Sequence, residues 1–209
     1  SDVTLNGWAI ENRLYAEDPY RGFLPSIGRL TRYRPPAEVA SGPLLEADKW
    51  QGDAPSGATA VRNDTGVYEG GEISMYYDPM IAKLCTWGPD RATAIEAMRV
   101  ALDSFEVEGI GHNLPFLSAV MDHPKFTSGN MTTAFIAEEY PDGFVAQPLD
   151  RAGQLQVAAL AAVFNCSKRK PGSEPVSESS ICRVVRIGDE SFNTRCTVAC
   201  FDYRVQVDG

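Results

Sequence analysis

Apolar and polar positions alternate with period two over residues 8–15. Trp8, Ile10, Asn12 and Leu14 share one face; Ala9, Glu11, Arg13 and Tyr15 share the other. Asn6-Gly7 precedes this run, and both positions of that pair tolerate positive φ. A hairpin joining residues 3–5 to 8–15 is therefore expected. A loop follows at Ala16-Glu17-Asp18-Pro19, and residues 29–33 predict a short strand. Residues 35–60 are rich in Pro, Gly, Ala and Ser and read as a long excursion. Short extended pieces are expected at 60–63 and 66–68, and a strand at 73–77. Residues 80–87 fit a strand or a short apolar helix.

The period then changes to that of a helix. Ala94, Ile95, Met98, Ala101, Leu102 and Phe105 follow the i, i+3, i+4, i+7 template, with Asp90 placed to cap the first turn. This predicts a helix over 90–105, followed by a strand over 105–110. A second helix is expected over 113–121, ended by Asp122-His123-Pro124, and a third over 131–140, stopped by Pro141. Residues 151–165 are apolar nearly all round, so that helix should be buried on several sides. After a linker over 167–180, short strands are expected at 182–187, 193–200 and 203–207, separated by Gly188-Asp189 and by Asp202. The order is α+β: an antiparallel sheet with packed helices, then an apolar helix and short antiparallel strands.

Charge sharpens this division. The chain carries −9 overall with a pI of about 4.7. An acidic surface argues against nucleic-acid binding, because a phosphate backbone wants a basic face. Residues 1–150 hold 11 basic and 22 acidic side chains, whereas residues 151–209 hold 8 and 6. Pro141-Asp142-Gly143 and Gln147-Pro148 lie near that shift. They suggest two domains, 1–145 and 146–209. No run approaches the roughly 18 apolar residues of a membrane span. The chain starts at Ser1 without a signal-like segment and ends at Gly209 where a turn would follow, so a fragment of a longer protein is expected. The five cysteines are an odd number and point to reduced thiols in the cytoplasm. Cys85, in an apolar stretch, reads as a buried inert thiol. Cys196 and Cys200 lack a second pair, and no metal site is expected.

Few side chains invite chemistry. P-loop, dinucleotide and nucleophile-elbow motifs do not occur. His112 and His123 read as structural, and adjacent pairs such as Glu17-Asp18 or Glu138-Glu139 read as solvated faces. Arg13 is the exception. It lies in a strand-like apolar run, and a core arginine needs a partner or a site. It is either a structural ion pair with Glu11 or Glu17, or a fixed cation that stabilises a developing oxyanion. Asp78, before Pro79, is either a turn initiator or part of a site.

Five ordered blocks carry a resemblance. They are Asn12-Arg13-Leu14-Tyr15-Ala16-Glu17-Asp18-Pro19 with Phe23-Leu24-Pro25-Ser26-Ile27-Gly28; Ala60-Val61-Arg62-Asn63; Tyr76-Tyr77-Asp78-Pro79-Met80-Ile81-Ala82-Lys83-Leu84; Gly88 to Arg91 with its helix; and Gly109-Ile110-Gly111-His112-Asn113. Together they resemble the C-terminal subdomain of the biotin carboxylase family. The run from Glu139 to Phe144 is similar to the branch of alpha subunits that serves propionyl-CoA. Subunits that serve methylcrotonyl-CoA or acetyl-CoA are the neighbouring alternatives.

The resemblance implies a ligase reaction. ATP and bicarbonate, with Mg or Mn, carboxylate biotin, and a carboxyltransferase beta subunit passes the carboxyl group on. It implies that Arg13 stabilises the oxygen of deprotonated biotin, that Asp78 binds near the biotin end of the site, and that Thr133 borders the adenine. Arg62 falls at a subunit contact. Residues 151–209 match the order of a linking domain, a helix wrapped by a barrel; three strands would make only part of that barrel. Leu155 and Ala159 on its helix are interface candidates, and a non-catalytic assembly module that binds a partner subunit is the competing reading. Biotin itself would sit on a carrier domain, whose Ala-Met-Lys-Met motif does not occur here. The nucleotide-grasp domain that binds ATP and metal is not in these residues either. In a eukaryote the resemblance implies the mitochondrial matrix.

Overall fold

A computed structural model describes residues 6–40, 59–74, 76–167, 179–199 and 202–208. They fall into two compact units, Ser1–Ala146 and Gln147–Gly209.

The first unit is built on a four-stranded antiparallel sheet. Strand β1 (Trp8–Tyr15) is followed by two-residue strands β2 (Glu17–Asp18), β3 (Leu24–Pro25) and β4 (Gly28–Arg29), and by β5 (Arg32–Arg34). Then come β6 (Val39–Ala40), β7 (Ala60–Thr65), β8 (Glu72–Ile73) and β9 (Met80–Gly88). The order in the sheet is β1-β9-β7-β6. The segment left open between strand and helix is β9, paired along both edges: Arg13 faces Lys83 on one side and Asp64 faces it on the other. Ile81, Leu84 and Thr86 of β9 and Ile10 and Leu14 of β1 are buried beneath helix α1 (Arg91–Asp103). That helix buries Ala94, Ile95, Met98, Ala101 and Leu102, the predicted stripe, and Asp90 Oδ1 accepts from Thr93 N at 2.8 Å. The carboxylate's pKa is held below its ordinary value by that bond.

Several expectations are corrected. The hairpin partner at residues 3–5 lies outside the described residues; in what is described, β1 pairs with β9. Of the strand expected at 73–77, Ile73 lies in β8, which pairs with β4; Ser74, Tyr76 and Tyr77 are not in a strand, and Met75 lies outside the described residues. The strand at 29–33 is interrupted at Leu30, which exchanges backbone hydrogen bonds with Gly70 and Gly71. Strand β10 (Glu106–Glu108) pairs with β5, and α2 (Leu114–Asp122) follows it. Pro124 does not end the helical region; it opens α3 (Pro124–Ser128), where a missing N–H costs nothing, and His123 Nδ1 caps that helix by accepting from Lys125 N. The third expected helix contracts to α4 (Phe135–Glu139). Glu139 bonds both Lys125 and His123, which ties α4 to α3.

The second unit holds α5 (Arg151–Ser167) and the antiparallel sheet β11 (Ser179–Ile187), β12 (Glu190–Ala199), β13 (Asp202–Asp208). Asp150 Oδ1 caps α5 by accepting from Gly153 N at 2.7 Å. Burial is narrower than the all-round apolar sequence predicts. One stripe, Ala158, Ala162 and Cys166, is buried, with Ala162 and Cys166 packed on Cys196 of β12, while Leu160 stays 68% exposed. Small residues on that stripe let the helix approach the sheet closely. No closed barrel forms among the described residues.

Candidate active-site face

The outer face of the main sheet is ordered in rows. Opposed residues of antiparallel strands place their side chains side by side. Ala9, Trp87 and Ala60 form one row; Glu11, Cys85 and Arg62 the next; Arg13, Lys83 and Asp64 the third. One row is apolar, and the third presents two cations beside one carboxylate.

Arg13 therefore lies on the exposed face of β1 and not in the core, which corrects the expectation of a buried arginine. Alternation explains it: Asn12 and Leu14, its neighbours, point inward. Its Nε donates to Glu11 Oε1 at 2.8 Å. That bond first, and one to Tyr15 second, push the guanidinium pKa above its ordinary value, so the charge is fixed. The ion-pair reading and an open cationic group are thus both present, because a guanidinium has five donors.

Asp78 is exposed just before β9, and its Oδ1 accepts from Met80 N at 2.9 Å, the turn geometry expected of Asp before Pro. The same loop binds the end of β1: Ala16 N donates to Pro79 O at 2.8 Å. The Glu17 carboxyl is pushed up by burial and, less, by the charge of Asp78. Arg13 and Asp78 are thus held on adjoining segments at one end of the sheet. Arg62 shares the outer face, two strands away, with its Nε 3.1 Å from Asp64 Oδ1. Cys85 beside it is half-buried rather than buried; desolvation raises its thiol pKa and Arg62 partly offsets that.

Thr133 is in a different place. It is exposed in the turn before α4, where Thr132 Oγ1 accepts from Ala134 N and Thr132 O from Phe135 N. Leu155 and Ala159, on α5 of the second unit, are both half-buried, flanking the stripe that meets the sheet. Among the described residues no group of three metal-ligating side chains occurs, and no helix is long and apolar enough to cross a membrane.

One residue here escaped the sequence reading. Asn113, 6% exposed, begins α2 yet makes no side-chain cap to it. Its Oδ1 accepts from Tyr15 N at 2.9 Å and its Nδ2 donates to Arg13 O at 3.1 Å. The local sequence signals only a helix start.

The model of the biotin carboxylase C-terminal domain matches residues 11–138. The chain is 81% identical to the propionyl-CoA carboxylase alpha chain of Ruegeria pomeroyi over 164 residues, 78% of this chain and 24% of that one. It is 43% identical to the mitochondrial propionyl-CoA carboxylase alpha chain of Caenorhabditis briggsae over 167 residues, 79% of this chain and 20% of the other. In structure it resembles the biotin carboxylase domain of Hydrogenobacter thermophilus 2-oxoglutarate carboxylase, solved with MgADP, ADP and bicarbonate. The TM-score is 0.56 at 33% identity, over 71% of this chain and 28% of that one. The chain thus spans about a quarter of the length of its relatives.

Proposed function

Because the chain belongs to the biotin carboxylase family, as its C-terminal domain, we propose that it forms one wall of the biotin-carboxylating site in the alpha subunit of a propionyl-CoA carboxylase. The identity to the Ruegeria pomeroyi alpha chain carries this reading. The open guanidinium of Arg13 on the exposed sheet face supports it, because an arginine buried in the core could not meet a substrate.

The residues present fit biotin at that wall. Biotin supplies the ureido nitrogen that would take up the carboxyl group of bicarbonate, once ATP has activated that bicarbonate by phosphorylation. Arg13 offers a planar fork of donors to the ureido oxygen, and it stays charged at every working pH. Glu11 holds Nε, which orients the fork before the substrate arrives and lowers the reorganisation needed during reaction. Asp78, fixed by its turn, would bind at the biotin end of the same wall. ATP and its Mg or Mn ion would be held mainly by the nucleotide-grasp domain of the longer subunit, with Thr133 near the adenine. The carrier domain that bears biotin and the carboxyltransferase beta subunit are the partners this role requires.

In the full-length subunit, Arg13→Ala is expected to slow biotin carboxylation about a hundredfold while sparing assembly. A carboxylation rate within twofold of wild type would sink the assignment.

The second unit would be the linking domain, its three strands a part of the barrel around α5. A second reading makes this unit an assembly module, favoured by the exposed Leu160 and by Val157, 41% exposed, on one side of α5. Charge introduced at Leu155, Ala159 or Leu160 should then weaken binding of the beta subunit and leave biotin carboxylation intact. Pull-down of the beta subunit and the carboxylation assay separate the two effects. A methylcrotonyl-CoA carboxylase subunit remains the alternative for substrate, since the acyl-CoA would be read by the beta subunit.

A further inference from the structure

We infer that Asn113 is the positioning residue for Arg13, its side-chain amide binding an edge of β1 that no strand among the described residues covers. The inference rests on the role proposed for Arg13.

Among the described residues β1 is the edge strand of its sheet, with β9 on one side only. In an antiparallel strand the N–H and C=O groups of alternate residues point to the same edge. Arg13 and Tyr15 present theirs on the edge away from β9, and Asn113 meets them there. Its amide is a short copy of a peptide group, one donor and one acceptor. Nδ2 donates to Arg13 O at 3.1 Å, Oδ1 accepts from Tyr15 N at 2.9 Å, and the Asn113 backbone N donates to Tyr15 O at 3.2 Å. Three bonds thus close on the strand within two residues of the guanidinium.

The place matters as much as the number. The β1–β9 pairing is regular from Trp8 to Leu14 and slips between Leu14 and Tyr15, where Tyr15 faces Met80. The ladder is therefore irregular one residue past Arg13, before it resumes at Tyr15 and Ala16. Asn113 grips the other edge of the strand at that point. It gives up its usual role to do so, since an Asn at a helix start normally caps its own helix.

Asn113 is itself firmly seated. Gly109 has φ +103°, and a Cβ there would sit 2.2 Å from Arg29 O. Gly111 N donates to Ser26 Oγ at 2.9 Å. Thr31 N donates to Glu108 O. The run from Gly109 to Asn113 is thus locked against the segment that follows β1, and it delivers the amide to a fixed spot. A group acting through such a brace sets where the guanidinium stands without touching substrate.

The test uses the full-length carboxylase complex and two reactions. On the role proposed for Arg13, biotin carboxylation needs its fork, whereas bicarbonate-dependent ATP cleavage without biotin does not. Asn113→Ala removes both side-chain bonds. Asn113→Asp keeps the shape and the acceptor but loses the donor to Arg13 O. Both variants are expected to lower kcat for biotin carboxylation about tenfold, with KM for ATP and biotin-independent ATP cleavage within twofold of wild type. In the double variant Arg13→Ala/Asn113→Ala, the second change should add less than twofold to the first. Full additivity overturns the inference, as does equal loss of both reactions together with a lowered melting temperature in both variants, which marks a purely structural residue. Unchanged carboxylation in both variants overturns it too. If Arg13→Ala alone leaves carboxylation unchanged, the role of Arg13 has failed, and that result is read independently of Asn113.

Discussion

His112 illustrates how one side chain turns burial into pH dependence. It sits half-buried beside Asn113, with Nδ1 among the buried polar atoms that lack a hydrogen-bond partner. Burial pushes its pKa below the ordinary 6.5, and a backbone bond from the region of Val107 only partly opposes that. The unfolded chain therefore binds this proton more readily than the folded one. Stability is full above the unfolded value and falls as pH drops from about 6.5 toward the lowered folded value. Urea denaturation between pH 5 and 8 should show the loss, and His112→Asn should flatten it. An identical slope in wild type and variant would refute the assignment. The Glu139 carboxyl is held down by Lys125 and moves away from this window, whereas the Glu17 carboxyl is pushed up by burial and changes stability in the opposite sense to His112. At this scale the sequence was readable only over short range. The Glu11–Arg13 pair is two residues apart on one strand face, so alternation foretells it. The Asn113 clasp joins residues 98 and 100 positions apart, and no local pattern encodes such a pairing.

Elements were legible where one period ran long enough to be distinct. α1 follows from thirteen residues of helical spacing and an aspartate cap. β9 was ambiguous, because a central strand under a helix carries apolar residues on its inner face and Cys85 and Trp87 on its outer one, so alternation fades. α3 was hidden by Pro124, which can stop one helix or start another. α5 misled in the opposite sense: the sequence is apolar on every side, yet only one stripe meets the sheet. Two substitutions test the packing of these elements. Leu84→Ala, in β9 at 1% exposure, should destabilise the first unit by about 2–5 kcal/mol. Gly109→Ala should cost about 1–3 kcal/mol, because the positive φ and the backbone of Arg29 both resist a Cβ. Equilibrium denaturation measures each; a change under about 0.5 kcal/mol at either site would contradict the packing described.

The whole molecule divides between residues 146 and 147, close to where the charge balance changes sign along the chain. Family membership was legible because its motifs are contiguous runs that join strand segments, such as Asn12 to Tyr15 and Met80 to Leu84, to the turns beside them at Asp18-Pro19 and Asp78-Pro79. The 209-residue chain alone is expected to show no bicarbonate-dependent ATP hydrolysis above buffer background, since its sequence holds no phosphate-binding loop motif and, on the role proposed for it, it forms one wall of the site. Measurable turnover would require a second catalytic surface within it. The aromatic side chains near residue 140 carry a last consequence. The family model stops at residue 138. Phe116 of α2 nevertheless packs edge-on against Tyr140 and Phe144, at ring separations of 5.3 and 5.4 Å, and Phe144 reaches Tyr20 at 5.3 Å. Phe144 is 5% exposed. The folding unit is therefore longer than the inherited motif. A version cut after residue 138 should melt well below one cut after residue 146, although both keep every residue that the family model matches.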